Sequence, residues 1–299
     1  MDFEPLQPDG LDEAIRFLRA SNPFAQHTWG WDTGRFIDWR WGTNILKEER
    51  TQGWFSRHCA VVRRGPAIEA LAICEDGAAE HCVITRDADP GLVGTVVDRL
   101  TARIPDGGLR FSFADDAAWL SEVFAARGFS AEPATGCEWE FDLDALPPED
   151  PVAAGFVVGP SLPGDGADHA GITRCLQRAF GSETDLLPVL RSLESNPWYR
   201  PELSVVARSP DGRIAAYCRG TADPDTGVCG IDPVATDPHF QRRGLGRAVL
   251  QRCFAAQRAV GGRRSYIGSA PEPAPGAVLY RSLIPSRVTV FSTWSRPIR

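Results

Sequence analysis

The stretch that most constrains this chain is Val234-Ala235-Thr236-Asp237-Pro238-His239-Phe240-Gln241-Arg242-Arg243-Gly244-Leu245-Gly246-Arg247. A short apolar run with strand character stops at Asp-Pro, a basic turn punctuated by glycine follows, and a helix-forming run from Ala248 to Ala259 begins at once. That order gathers free backbone N–H groups, the positive end of a helix dipole and several arginines at one point. Such a point binds a phosphate or pyrophosphate. Gly244 and Gly246 let the backbone approach the anion with no Cβ in the way.

Two familiar phosphate loops do not fit. No Lys-Ser or Lys-Thr follows a glycine in the Walker spacing. The dinucleotide fingerprint lacks its third glycine, because Gly244-Leu245-Gly246 continues with Arg247-Ala248-Val249. What remains, Gln241-Arg242-Arg243-Gly244-Leu245-Gly246 directly after a strand, resembles the coenzyme A loop of the GCN5-related N-acetyltransferase (GNAT) superfamily, whose signature is Gln/Arg-x-x-Gly-x-Gly/Ala. The preceding Val-Ala-Thr strand, the proline at its usual offset and the amphipathic helix that follows make the match specific.

A chain of 299 residues predicts two domains of about 150 residues each. Hydrophobic content of 43% and charged content of 24% are ordinary for a globular core. No apolar run approaches the ~18 residues of a membrane helix, and the acidic start Met1-Asp2-Phe3-Glu4-Pro5 lacks a signal-peptide core. The eight cysteines form no Cys-x-x-Cys pair and no zinc spacing with histidine, so they read as small buried hydrophobes in a reducing cytoplasm. A net charge of −7 argues against nucleic acid as a partner and fits an anionic cosubstrate at a local basic loop with a cationic amine as acceptor.

Along the first half the pattern predicts a helix around Leu11–Leu18, strands at 59–63, 67–74 and 81–85, a helix over 92–104, a strand at 109–113, a helix over 119–126 and a strand at 137–143. Leu146-Pro147-Pro148-Glu149-Asp150-Pro151, with three prolines in six residues, is the best linker. The same order then recurs, with strands at 156–158, 203–208, 214–220 and 228–236, helices over 170–180, 244–260 and 277–283, and closing strands at 265–268 and 287–294. The expectation is an α/β fold (an α+β mixed sheet) of two tandem acyl-CoA N-acyltransferase-like domains: 1–146 degenerate, 147–152 a linker, and 153–299 binding acyl-CoA. The loop equivalent in the first half, Asp87-Ala88-Asp89-Pro90-Gly91-Leu92-Val93-Gly94, carries acids where phosphates need cations, so coenzyme A should bind poorly there.

The resemblance implies roles residue by residue. Val234, Ala235 and Thr236 pair with the pantetheine arm like an added strand, and the backbone of Gln241, Arg242, Arg243, Gly244, Leu245, Gly246 and Arg247 holds the pyrophosphate. Tyr280, in Ala277-Val278-Leu279-Tyr280-Arg281-Ser282-Leu283, matches the family's general-acid tyrosine; its other reading is interlayer packing. The family's following Gly-Phe is Ile284-Pro285 here. The family's strand glutamate is Gly230; Asp232, two residues on, faces the same way in a regular strand and is the candidate base, directly or through water. His239 lies beside the loop, and His169 reads as a helix-entry residue. Trp29, Trp31, Trp39 and Trp41 read as core, with a strand-face pair lining an acceptor pocket as the alternative. Asn196-Pro197-Trp198-Tyr199 falls where the family covers its acceptor.

These readings converge on a cytoplasmic N-acyltransferase that moves an acyl group, acetyl above all, from acetyl-CoA to a small-molecule amine by direct attack in a ternary complex, with no metal. Two alternatives stand beside it: a coenzyme A-binding module without turnover, and transfer to a protein amine.

Overall fold

The computed structural model describes residues 2–21, 28–42, 44–104, 108–162, 164 and 166–296. In the first half β1 (Asp2–Pro5) is followed by α1 (Leu11–Ser21), α2 (Thr33–Trp41), α3 (Asn44–Arg50) and α4 (Trp54–His58). Then come β2 (Cys59–Arg64), β3 (Ala67–Cys74), β4 (Glu80–Thr85), α5 (Pro90–Arg103), β5 (Arg110–Ala114), α6 (Ala118–Ala125) and β6 (Ser130–Asp142). The second half repeats this with β7 (Val157–Pro160), α7 (Gly166–Phe180), α8 (Leu187–Glu194), β8 (Ser204–Arg208), β9 (Ile214–Asp223) and β10 (Val228–Thr236). It closes with α9 (Leu245–Ala259), β11 (Arg264–Ser269), α10 (Pro275–Arg281) and β12 (Arg287–Ser295).

The twelve strands of the described residues join one mixed sheet in the order β1-β2-β3-β4-β5-β12-β6-β11-β10-β9-β8-β7. The two central strands are exchanged. β6, the last strand of the first half, pairs antiparallel with β11, while β12, the last of the second, pairs with β5. β6 and β12 also pair with each other, so each half is completed by the other's last strand.

Alternation along β6 explains why it can sit centrally. Trp139 and Phe141 are fully buried and pack with Phe254 of α9 and Tyr280 of α10. Glu138 and Glu140 alternate with them and so face the opposite side of the sheet. A second apolar cluster, built on Trp31, Phe36, Phe111, Phe113 and Phe124, fills the first half.

The halves are also tied by charge. Arg19 of α1 donates from Nε and Nη2 to Asp223 of β9 at 2.8 and 3.0 Å. Arg219 of β9 donates from both terminal nitrogens to Asp38 of α2 at 2.8 Å each. α2 lies so close to β9 that a Cβ on Gly34 would stand 2.2 Å from Thr221 Oγ1, a position only glycine fills.

Two local expectations are corrected. Trp29 and Trp31 do not alternate on a strand: they precede α2 at a helical turn and bend, and Trp39 and Trp41 lie within that helix. The final strand of the first half begins at Ser130, seven residues before the apolar alternation that marked it, because its early residues are held by pairing with β12 rather than by burial.

Candidate functional site

β10 and β11 run parallel for only three pairs, ending at Gly230 opposite Tyr266, although β10 continues to Thr236 and β11 to Ser269. Beyond that pair the strands part and open a gap in the sheet. β10 stays in register with β9 except for an irregularity between Ile231 and Val234. Gln257 of α9 satisfies the carbonyls at the fork, its Nε2 donating to Gly230 O at 2.8 Å and Thr221 O at 3.1 Å. The first half has the same device, with β4 and β5 pairing only through Glu80–Arg110 and His81–Phe111.

The loop after β10 has the backbone of an anion cradle. Arg242 and Gly244 take left-handed conformations, with φ of 63° and 76°, and turns of this kind bring successive N–H groups to one side. Gly244 is the N-cap of α9, and no side chain caps this fifteen-residue helix. The first N–H groups of the helix therefore lack partners within it. Gln241, Arg242 and Arg243 are exposed around the turn, and Gln241 Nε2 donates back to Thr236 O at 3.3 Å. The Arg247 guanidinium is bound to Asp150 and donates to Ser282 O and Oγ at 3.0 Å, which leaves its backbone as the part that faces the loop. His239 is exposed and its Nδ1 meets Asp237 Oδ1 at 2.9 Å, while His169 is buried against Glu194 at 2.7 Å.

The corresponding helix of the first half is closed. Asp89 caps α5, its Oδ1 accepting from Leu92 N at 2.9 Å. A carboxylate therefore already occupies the point where an anion would sit.

Tyr280 and Asp232 lie on opposite sides of the gap. Tyr280 is buried on the α9–α10 face, edge-on to Trp139 at 6.3 Å. Burial pushes its hydroxyl well above the usual phenol range, with Cys218 and Asp232 adding to the shift, so it stays protonated. Asp232 opens into a cavity of 280 Å³ on the other face, shared with Gly230, Tyr266, Asp32 and Glu138. The residue is exposed at the edge of this cavity, yet the atoms packed around its carboxyl raise it above the ordinary value, against the pull of Arg219. The strand is irregular at this point, yet Gly230 and Asp232 do reach the same space.

The first half supplies most of the charge there, and no periodicity in the sequence marks it. A Cβ on Gly230 would lie 3.5 Å from Asp32 Oδ2, so a carboxyl from the α2 cap stands beside this strand position. Burial raises the Asp32 carboxyl, while its bond from Arg35 N at 2.6 Å works the other way. Glu138 is pushed up to about 8 by burial and by Asp32, with Arg35 opposing. Its Oε1 is buried and has no hydrogen-bond partner among the described residues.

Gly30, Arg35, Glu75, Glu138 and Gly268 line both this space and a larger cavity of 420 Å³ at the first half's own fork, walled by Trp29, Trp31 and Phe291. Trp29 and Trp31 are thus both buried and cavity-lining. Asn196, Pro197, Trp198 and Tyr199 line a separate pocket over α2, where Trp198 meets Trp41 edge-on at 5.7 Å. The cysteines are free, and all are buried except the half-buried Cys137. Among the described residues no helix is long and apolar enough to cross a membrane, and no group of three or more His, Cys, Asp or Glu could hold a metal ion.

Residues 170–280 match the model of the acetyltransferase (GNAT) family. A mycothiol acetyltransferase of Kineococcus radiotolerans is 36% identical over 119 residues, 38% of this chain and 36% of that protein. The match thus spans about a third of the length of that curated relative. Among solved structures, a GCN5-related N-acetyltransferase from Sphaerobacter thermophilus superposes with a TM-score of 0.62 at 17% identity, covering 99% of this chain and 96% of that one. A tandem GNAT protein from the clavulanic acid biosynthesis pathway gives 0.63 at 14%, with 98% of each chain covered. At these identities the two structures establish the fold, a tandem pair of GNAT-like halves.

Proposed function

On the premise that residues 170–280 form a domain of the GNAT acetyltransferase family, we propose that this protein transfers an acetyl group from acetyl-CoA to the amine of a small molecule. The observation that carries the reading is the pairing of an uncapped helix N-terminus, behind a loop of left-handed turns, with a parted strand pair directly before it. The loop N–H groups from Gln241 to Arg247 would hold the pyrophosphate, and Val234, Ala235 and Thr236, past the fork, would pair with the pantetheine arm. Acetyl-CoA supplies the activated acyl group; the chain's own residues position it, exclude water and move protons.

Donor and acceptor reach the gap from opposite faces. Tyr280, kept protonated on the α10 side, gives a proton to the departing thiolate. On the other side a carboxyl group receives the proton of the acceptor ammonium, and Asp232, on β10 itself, is a candidate for it. The two units, 1–146 and 153–299 with 147–152 as the linker between them, would divide the work, the first acting as the wall of the acceptor cleft and the second as the donor site.

Coenzyme A should raise the melting temperature of the full chain, and Gly244→Glu combined with Gly246→Glu should abolish that rise. No shift at millimolar coenzyme A refutes the donor site. Thiol release from acetyl-CoA with a panel of amines then separates an enzyme from a module that binds without turnover.

A further inference from the structure

Three carboxyl groups surround the 280 Å³ space without an ion pair among the described residues. Asp38 also lines it but is held by Arg219, and Glu75 is held by Arg35 at 2.8 and 2.9 Å, which leaves Asp32, Asp232 and Glu138. Carboxyl groups left without a cationic partner in a partly enclosed space offer acceptors to an occupant with several N–H donors, and their charged forms favour a cation. Asp32 is committed, because its Oδ1 caps α2. Glu138 is not: its Oε1 is shielded from solvent and accepts nothing from the described residues, a state that costs free energy until a donor arrives.

Its place is set by the strand exchange. Glu138 lies opposite Gly268 of β11, two residues beyond the last β10–β11 pair, and so flanks the gap where the strands part. It also lines both cavities. We propose that Glu138, delivered by β6 to the gap of the second half, is the base that takes the proton from a primary ammonium acceptor and holds the resulting amine toward the thioester. This rests on the acetyl-transfer reading above and names its acceptor class and base.

The step balances. The Glu138 carboxylate accepts one proton from R–NH3+. The freed amine nitrogen bonds to the acyl carbon as the C–S bond breaks, and the sulfur leaves with the electron pair. The second nitrogen proton offsets the one that Tyr280 gives to sulfur, so amide, thiol and one proton held on Glu138 for release to water result.

The groups facing Glu138 are Asp32, Arg35 and Asp38 at α2, Glu75 after β3, Glu80, His81 and Cys82 of β4, Arg110 of β5, Asp232 of β10, Tyr266 of β11, Arg287 of β12 and Glu140 on its own strand. Their sum with burial keeps its carboxyl protonated up to about pH 8, so kcat/KM should rise with pH through that value as the base form appears.

The test uses the full chain with acetyl-CoA and tyramine, phenethylamine, putrescine, glucosamine and free dipeptides as acceptors, read as thiol release, and proceeds with the amine turned over best. Glu138→Gln should lower kcat about 100-fold or more, move KM less than threefold and remove the rise near pH 8, with Glu138→Asp recovering part of the rate. Asp232→Asn should keep that rise. The coenzyme A melting shift of Glu138→Gln should match wild type, which separates loss of the base from loss of the donor site. A Glu138→Gln enzyme within threefold of wild type, or a pH rise that disappears with Asp232→Asn instead, overturns the assignment while leaving acetyl transfer intact. Wild type that binds coenzyme A yet turns over none of these amines sinks both readings.

Discussion

Removing Asp38 should be far more damaging than the loss of an ordinary surface charge. Its carboxylate receives both terminal nitrogens of Arg219 at 2.8 Å, and the two side chains are 16% and 8% exposed. An exposed ion pair contributes about 0–1 kcal/mol. Breaking a buried one costs about 3–5 kcal/mol because the survivor stays charged in a poor solvent. Arg219 cannot escape by losing its proton: burial disfavours its charge, but Asp38 more than offsets this and holds its pKa above the usual arginine value. Its Nε is already without a hydrogen-bond partner among the described residues.

Asp38→Ala should therefore cost about 3–5 kcal/mol. At about 2.1 cal/mol/K per residue the unfolding entropy of the chain is about 0.6 kcal/mol/K, which puts the loss in melting temperature at about 5–8 °C. Asp38→Leu with Arg219→Met should recover most of it, since an apolar pair of similar size carries no desolvation penalty. Thermal melts monitored by circular dichroism, with urea titrations beside them, measure both. A cost below about 1 kcal/mol for Asp38→Ala would mean that the pair behaves as a solvated surface contact and does not clamp α2 over the second half.

The pH dependence of stability tests the environment of Glu138. The folded value is about 8 and the ordinary one 4.5, so between these the folded state keeps a proton that the unfolded chain has shed. Stability from this group is then full below about 4.5 and is lost as pH rises toward 8. Glu138→Gln should melt above wild type at pH 9 and together with it at pH 4.5; parallel curves refute the shift. Ile284 holds φ of 60° while 75% exposed, a conformation that costs a β-branched residue about 1–2 kcal/mol. Ile284→Asn should stabilise by about 1 kcal/mol, read as a small rise in the urea midpoint. Asp89→Ala removes the cap of α5 and should destabilise by about 1 kcal/mol without altering the coenzyme A melting shift.

Much of the second half is legible because its signals are local. The strand, turn and helix from Val228 to Ala259 lie in the order the residues dictate, and the glycines sit where the backbone turns. Tyr280 and Asp232 are recoverable as positions flanking the fork, though Arg247 turns its side chain to Asp150 instead of the loop. The acceptor side is another matter. Asp32 and Glu138 meet Gly230 and Gly268 only through α2 packing on β9 and through the exchange of β6, and neither event leaves a periodic trace. The α2 start did carry a readable cue, Asp32 three residues before the N–H it caps. The spacing of the tryptophans suggested a strand there because alternate aromatics also arise where a helical turn meets a bend. Helix α8 opens with Pro188 in its first turn and repeats Leu187, Leu190 and Leu193, a signal overshadowed by the polar run that follows.

The crossing of β6 and β12 removes a freedom that duplicated proteins usually retain. A chain made of two beads on a string can discard one once it falls silent. Here, cutting between the halves would strip each of the strand the other supplies and leave Trp139 and Phe141 without the floor they rest on. The half with the blocked anion site is thereby locked in place, and its carboxyls remain within reach of its neighbour's chemistry.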